Sequence, residues 1–162
     1  MVWLDYLTQH EQNSLLVTFI VSMLPIVELR GAIPIGVSLG LAPWTAMAVS
    51  VVGNMLPTPF IILFIRRVFA WLRAKSRRMS NFVERLEERA MRNKDLIYKY
   101  EIIGLVIFVG IPLPGTGAWT GALLAALMNI RIKYAIPAIL AGVIIAGFLV
   151  TGLTFGFTAI FD

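Results

Sequence analysis

Two oppositely charged side chains lie inside a long apolar stretch near the N-terminus. Glu28 and Arg30 follow the uncharged run 15–27 and precede the uncharged run 35–41. A carboxylate or a guanidinium at membrane depth costs about 2.5–3.5 kcal/mol on insertion scales, so such groups face protein or water rather than lipid. Glu28 is therefore a candidate to accept a proton or bind a cation, and Arg30 to bind an anionic group. The alternative is that the two charges neutralise each other and hold the local backbone in shape.

Gly31 and Pro34 follow this pair and predict a break in the helical pattern. On a helix, Glu28 and Arg30 would point in different directions because they are two positions apart. In an extended or turn geometry both side chains would reach one cavity. Irregular backbone at membrane depth is tolerated only where it is buried in protein or lines a cavity. The sequence therefore predicts the wall of a polar cavity inside a membrane protein, and favours transport as the function.

A second group of candidates carries no charge and lies in the later stretch 112–121. It offers backbone amides, two hydroxyls and an indole donor, and its candidate residues are Pro112, Pro114, Gly115, Thr116, Gly117, Trp119 and Thr120. If a half-helix begins near Gly117, its N-terminal amides favour an anion. The alternative is that the prolines and glycines only make a turn and permit close packing. Asn54 is a further candidate, although it could simply bridge two helices.

The elements that must position these residues are four apolar segments. The protein is 59% hydrophobic and 14% charged, against roughly 25% charged in an average soluble domain. This composition is typical of integral membrane proteins. The segments are 14–41, 44–65, 102–128 and 134–161. A broken segment followed by a continuous one occurs twice, and such paired, interrupted segments indicate a transporter site at the interface of two repeats.

Segment lengths indicate the topology. The second segment has 22 residues, or about 33 Å of helix, and spans a membrane once. The helical part 14–24 reaches about 16 Å, enough for the midplane only. We therefore favour an all-α membrane fold with two re-entrant helical hairpins that enter from opposite faces, each followed by a transmembrane helix. A plain bundle of four spans is the alternative.

The basic residues are concentrated in one linker. Of the 14 Lys and Arg residues, 11 fall between Arg66 and Lys99, so the positive-inside rule predicts a cytoplasmic linker over 66–100. Anionic membrane lipids, rather than nucleic acid, are the expected partner of this charge. Apolar residues at helical spacing predict one or two amphipathic helices, either on the membrane surface or solvated with a packing stripe. These residues are Val68, Leu72, Met79, Phe82, Val83, Leu86, Ala90 and Ile97.

Enzyme chemistry is not indicated. The chain has no Cys, and its single His lies in the polar N-terminal segment, where it is expected to be solvated. No metal-ligand cluster, nucleophile–His set or phosphate-binding loop is present in the sequence, so we expect no metal and no cofactor. Gly residues recur in the last segment at 142, 147, 152 and 156. They predict close helix contact, within the subunit or across a dimer.

The motifs also carry a family resemblance. The stretch 28–34, the basic linker and the stretch 110–121 resemble the small multidrug export family of prokaryotes over nearly the whole chain. That family is distantly similar to the DedA/VTT membrane proteins, which pair two re-entrant loops with adjoining spans. The resemblance implies a multi-pass transporter of the cell (inner) membrane, coupled to protons. DedA-like proteins commonly carry Arg in the second loop, and here 109–120 contains none.

Together these patterns predict one membrane domain over 1–162, with repeat halves 1–65 and 101–162 joined by the linker 66–100. We expect a homodimer, because one small copy offers little helix area to enclose a polar path. The expected function is proton-linked export or flipping of a small or lipid-linked substrate. Two alternatives remain open: a passive ion channel with the two loops as its filter, and a non-transporting scaffold that recruits a cytoplasmic partner.

Overall fold

The computed structural model describes the backbone of residues 2–91, 102–113 and 115–161, and the side chains of 10–88, 102–113 and 115–156. All regular elements in these ranges are α-helices, as predicted. They are α1 (Val2–Ser22), α2 (Glu28–Ser38), α3 (Pro43–Met55), α4 (Pro57–Lys75), α5 (Arg77–Met91), α6 (Ile102–Gly110), α7 (Ala118–Leu127) and α8 (Ile132–Phe161).

Two stretches are long and apolar enough to cross a membrane: Pro43–Lys75, which contains α3 and α4, and Ile132–Gly156 within α8. By contrast α2, α6 and α7 have 11, 9 and 10 residues. At 1.5 Å per residue each is about 17 Å or shorter, well below the roughly 30 Å of hydrocarbon. The short lengths of α2, α6 and α7 are as expected for broken segments. The helix before the first break is longer than predicted: α1 has 21 residues, or about 31 Å, and not the roughly 16 Å expected from 14–24, because it begins at Val2.

The chain forms two compact units. The first comprises Met1–Leu56 and Val143–Asp162, and the second comprises Pro57–Gly142. In the first unit α1, α2 and α3 pack against one another. In the second unit α4 packs against α5 and α7, and α7 also packs against α5 and α6.

Small residues make the contacts of the first unit close. Ser14, Thr18 and Ser22 recur every fourth residue along α1 and are buried. A Cβ added to Gly36 would lie 2.8 Å from Thr18 Oγ1, and one added to Gly53 would lie 2.0 Å from Ser22 Oγ. Membrane helices approach closely where such small residues meet. The hydroxyl protons are satisfied by backbone carbonyls: Thr18 donates to Ser14 at 2.7 Å and Ser22 to Phe19 at 2.7 Å.

Two of the four glycines of α8 have the predicted packing role. A Cβ on Gly142 would lie 2.8 Å from the Val106 carbonyl oxygen, and one on Gly147 would lie 3.1 Å from the Met47 side chain. At Gly152 and Gly156 an added Cβ would meet no described atom within 4 Å. The described part of one chain therefore provides no close contact at these two glycines, and the predicted alternative, a contact across a dimer, stays a prediction.

The linker is helical where it is described. In α5, Val83 is fully buried in the second unit, and Glu87 forms an ion pair with Arg73 of α4. Val68, predicted to lie on the packing stripe, is instead exposed, and its neighbour Phe69 is buried. The reason is that α4 continues to Lys75, so residues 68 and 69 belong to α4 and not to a separate linker helix. The packing of α4 then determines which of the two side chains is buried. Ile97 and the side chain of Ala90 lie outside the described residues.

The short helices α2 and α7 end in the same way. After α2, Leu41 N–H bonds to the Gly36 carbonyl at 3.0 Å, and Gly40 is left-handed with φ of 90°. After α7, Ile130 N–H bonds to the Ala125 carbonyl at 2.9 Å, and Asn129 is left-handed with φ of 58°. Each is a Schellman ending, in which glycine or asparagine takes the left-handed position.

This ending yields a stability prediction. Gly40→Ala is expected to lower the free energy of unfolding by about 1–2 kcal/mol, because a Cβ disfavours the left-handed conformation. The cost is conformational, since a Cβ at Gly40 meets no described atom within 4 Å. Gly40→Asn should cost less, because asparagine tolerates this conformation at residue 129. Unfolding in detergent compares the three proteins, and equal stability of Gly40→Ala and wild type would contradict the prediction.

Candidate functional site

The first break precedes the charged pair and does not contain it. Residues 23–27 leave the helical pattern around Pro25, and Glu28–Ser38 is the helix α2. The predicted extended or turn geometry over Gly31 and Pro34 was therefore wrong. A proline inside a helix removes one hydrogen bond and kinks the helix, and here the helix continues through Pro34. Glycine at position 31 makes room for the Val27 side chain, since an added Cβ would lie 2.3 Å from Val27 Cγ1.

Glu28 begins α2 in an unusual backbone conformation. Its φ is 50°, and its side chain is 6% exposed. A left-handed conformation costs a non-glycine residue about 1–2 kcal/mol, and such strain is concentrated at functional sites. Glu28 also interacts electrostatically with Arg30. The carboxylate is thus held in place by the fold, at the point where the chain turns from the break into the helix.

Arg30 lies half-buried on the wall of a cavity of about 450 Å³ within the first unit. The cavity lies between α2 and the later part of α8, and its lining residues are Arg30, Pro34, Val37, Ser38, Val150, Leu153 and Thr154. Glu28 is not among them. Two positions apart on a helix are about 200° apart, which explains why only one member of the pair faces this space.

The cavity combines one cation with an apolar wall. Arg30 provides guanidinium N–H donors and no acceptor. Ser38 donates its hydroxyl proton to the Ile35 carbonyl at 2.7 Å, and Thr154 donates to Val150 at 2.8 Å. The hydroxyl protons are therefore committed to the helices. The remaining lining is aliphatic, so the cavity is suited to a molecule with one anionic group and an apolar body.

A second cavity in this unit, of about 460 Å³, lies between α3 and α8. It is lined by Pro43, Trp44, Phe148, Thr151, Gly152, Phe155 and Gly156 and contains no charged side chain. The Arg30 cavity is therefore the better candidate for binding a charged substrate.

Asn54 is fully buried in α3, next to the contact between Gly53 and Ser22. It belongs to the same unit as Arg30 but is not among the residues that line the Arg30 cavity. Bridging between helices and participation in the site both stay open for this residue.

The second predicted group lies in the second unit. The backbone leaves the helical pattern after α6, and α7 begins at Ala118 with the extended residue Gly117 as its N-cap, as predicted. Thr116 donates its hydroxyl proton within the break, since its Oγ1 lies 2.7 Å from the Ile111 carbonyl and 2.9 Å from the Leu113 carbonyl. Its first role is therefore to shape the turn. Gly115 is left-handed with φ of 84°, so only glycine fits that position without strain.

The remaining members of this group have less defined surroundings. Trp119 and Thr120 are partly buried in the first turn of α7, where backbone amides are not used by the helix itself. Pro112 precedes the turn and is partly buried. Pro114 lies outside the described residues. A binding role for this group stays a prediction.

Sequence reasoning missed one half of the cavity wall. Val150, Leu153 and Thr154 come from α8, more than a hundred residues after Arg30 in the chain. Nothing in their spacing distinguishes them from ordinary apolar helix residues. The buried hydroxyls of α1 had a detectable signal, because Ser14, Thr18 and Ser22 recur at four-residue spacing within an apolar run.

The described residues contain no cluster of side chains that could bind a metal ion. Among the described residues no group of three or more His, Asp or Glu side chains could hold an ion. The expected absence of a cofactor stays a prediction.

Comparison with known proteins gives one result. No curated protein and no solved structure matches the chain. The family described as "Putative small multi-drug export protein" matches residues 28–149, about three quarters of the sequence. The match begins at Glu28, directly after the first break, and includes the second break, the linker and α8 as far as residue 149. An export family implies a transporter rather than an enzyme, and together with the two long apolar helices it indicates a membrane location. On this evidence the chain belongs to the small multi-drug export protein family.

Proposed function

We propose that this protein is a carrier that moves an amphipathic anion, either a small molecule or a lipid-linked group, across the cell membrane through the Arg30 cavity. The single observation that carries the proposal is a guanidinium on the wall of an otherwise apolar cavity of about 450 Å³. Pockets of roughly 300–1,000 Å³ hold drug-sized ligands, so the volume is appropriate. A structural ion pair alone would not need an adjacent space of this size.

The coupling of transport to protons is assigned to Glu28. It is the nearest acid to Arg30 in sequence, it is buried, and it interacts electrostatically with Arg30. Protonation of Glu28 would change the net charge beside Arg30 and with it the affinity of the cavity for an anion. Because protonation removes the negative charge beside Arg30, it raises this affinity, so proton binding and anion binding are linked through one interaction.

The repeat remains part of this proposal. The same order of elements, a break, a short helix with a Schellman ending and a long apolar helical stretch, occurs in α2 to α4 and in α7–α8. This likeness supports an internal repeat, and paired broken helices support a binding site formed by half-helices. We further propose that the backbone at Gly115–Gly117 is a substrate contact of the second unit, that the linker lies in the cytoplasm, and that the protein works as a homodimer.

Glu28→Gln is expected to uncouple transport from protons while leaving the protein folded, because glutamine has the same shape but cannot ionise. The measurement uses proteoliposomes with an imposed pH gradient and two probes. Carboxyfluorescein release reports a small anion, and dithionite reduction of NBD-labelled phosphatidylglycerol reports a lipid-linked one. Wild type should respond to the gradient with one of these probes, and Glu28→Gln should move it at a rate that the gradient does not change.

Glu11→Gln is the matched control, because Glu11 is exposed on α1. It should keep the response of the wild type. A Glu28→Gln variant with a normal gradient response would remove Glu28 from the mechanism. Wild-type vesicles that move neither anion would overturn the proposed function.

A further inference from the structure

Helix α5 has a packed edge, an exposed apolar edge and charged residues on either side of them. Successive residues of a helix are 100° apart, so residues 79, 82, 83 and 86 share one side. Within this side only Val83 is fully buried, and the neighbouring Glu87 reaches Arg73 of α4. The edge of α5 that carries Val83 and Glu87 is therefore the one that packs inside the second unit.

The opposite edge of the same side is uncovered. Phe82 is 55% exposed and Met79 is 42% exposed. An apolar edge of this kind on a helix rich in charge is typical of helices that lie in a membrane interface.

The charges of α5 are separated in a way that favours an anionic partner. On the helical wheel Arg78 and Arg85 both lie next to Phe82, on the side away from Val83, while Glu84 and Glu87 lie on the far side of Val83. The described ion pair of Glu87 is with Arg73, not with these arginines. Among the described residues no ion pair involves Arg78 or Arg85, so within this part of the chain the two guanidinium groups next to the exposed apolar edge can meet an outside partner.

The end of α4 repeats the same chemistry. Trp71 is 58% exposed, and the Lys75 ammonium lies 4.6 Å from the centre of its ring. Tryptophan is enriched at membrane–water interfaces, and lysine extends its charge toward the headgroups there. This helix belongs to one of the two stretches that are long and apolar enough to span a membrane.

We propose that this surface, which we call the α5 basic face, binds the headgroups of anionic phospholipids. It consists of Trp71, Lys75, Arg78, Met79, Phe82 and Arg85. The exposed aromatic and thioether side chains distinguish a lipid surface from an acidic protein, because they gain by insertion into the acyl boundary while the cations meet phosphate. The proposal does not depend on the Arg30 cavity, since all six residues lie in the second unit.

The test counts phosphatidylglycerol molecules bound to the full-length protein in a neutral detergent by native mass spectrometry. Arg78→Gln with Arg85→Gln is expected to weaken binding about 30-fold, since each cation near an anionic surface contributes roughly a tenfold or smaller factor. Phe82→Ser should weaken the binding of phosphatidylglycerol to the protein in nanodiscs that contain this lipid. Phosphatidylcholine, which is neutral overall, should bind equally to all variants.

A charge-matched control separates a specific surface from total charge. Arg131→Gln with Lys133→Gln removes the same charge from the start of α8 and the residue before it. An equal loss of phosphatidylglycerol binding in both pairs would overturn the assignment to α5. Wild-type binding in the Arg78 and Arg85 variant would reject the lipid surface and favour an acidic protein as partner. An unchanged unfolding temperature verifies the fold, because all four side chains are exposed.

Discussion

Arg30→Gln is expected to reduce transport of the anionic substrate by a factor of about 10 to 150. A hydrogen bond to a charged group contributes about 1.5–3 kcal/mol, which corresponds to this range at room temperature. The side chain is half-buried on the cavity wall, so water does not fully replace it. The measurement is the initial rate of carboxyfluorescein release or of NBD-phosphatidylglycerol movement from proteoliposomes, whichever the wild type supports.

Two further variants make this result specific. Arg30→Lys keeps the charge but loses the planar fork, so an intermediate rate is expected. Arg67→Gln removes an exposed cation in the other unit and should transport like the wild type. If Arg30→Gln transports at the same rate as Arg67→Gln, the guanidinium is a structural charge and the cavity is not the substrate site.

Gly53→Ala is expected to lower the free energy of unfolding by about 1–3 kcal/mol, the usual cost of overpacking a close contact. The new Cβ would lie 2.0 Å from Ser22 Oγ and 2.7 Å from the Phe19 carbonyl oxygen. The hydroxyl can rotate away, but the backbone carbonyl cannot, so α1 and α3 must separate. Thermal unfolding of the purified protein in detergent measures the change.

Gly152→Ala is the matched control for this substitution. It also lies within a helix, and its added Cβ would meet no described atom within 4 Å. Alanine is more favourable than glycine in a helix by up to about 1 kcal/mol, so this variant should be equally or more stable than the wild type. Adding Ser22→Ala to Gly53→Ala should restore part of the loss, because one of the two contacts is then removed. Equal stability of Gly53→Ala and Gly152→Ala would show that α1 and α3 are not in close contact.

The sequence was sufficient for the class of fold because that class depends on composition and segment length. Apolar segments of known length predicted helices, and residues 111–117, with several prolines and glycines in a row, predicted the second break correctly. The first break was predicted to be too long. The first helix was expected to end before Pro25, and Pro25 does lie in the break, but Gly31 and Pro34 were also assigned to the break and lie inside α2. The sequence around two nearby prolines does not show which of them interrupts the helix.

The site was only half predictable for a different reason. Glu28 and Arg30 were visible because a charge inside an apolar segment is costly and therefore informative. The space beside Arg30 arises from packing between α2 and α8, which are distant in the chain, and aliphatic residues such as Val150 and Leu153 carry no chemical signature. The separation of Glu28 from the cavity wall could not be predicted either, since it follows from the helical conformation of α2.

Because α2 and α7 end in the same way, residue positions in the two helices can be compared by counting back from these ends. Counted back from the left-handed residues Gly40 and Asn129, Arg30 and Trp119 occupy the same position on their helices. A duplication that later diverged would thus have placed a cation on one copy and an indole on the other. The double variant Arg30→Trp with Trp119→Arg would show whether the two side chains can be exchanged between the repeats. Retained transport would mean that either repeat can carry the cation, and lost transport would mean that the two repeats have different functions.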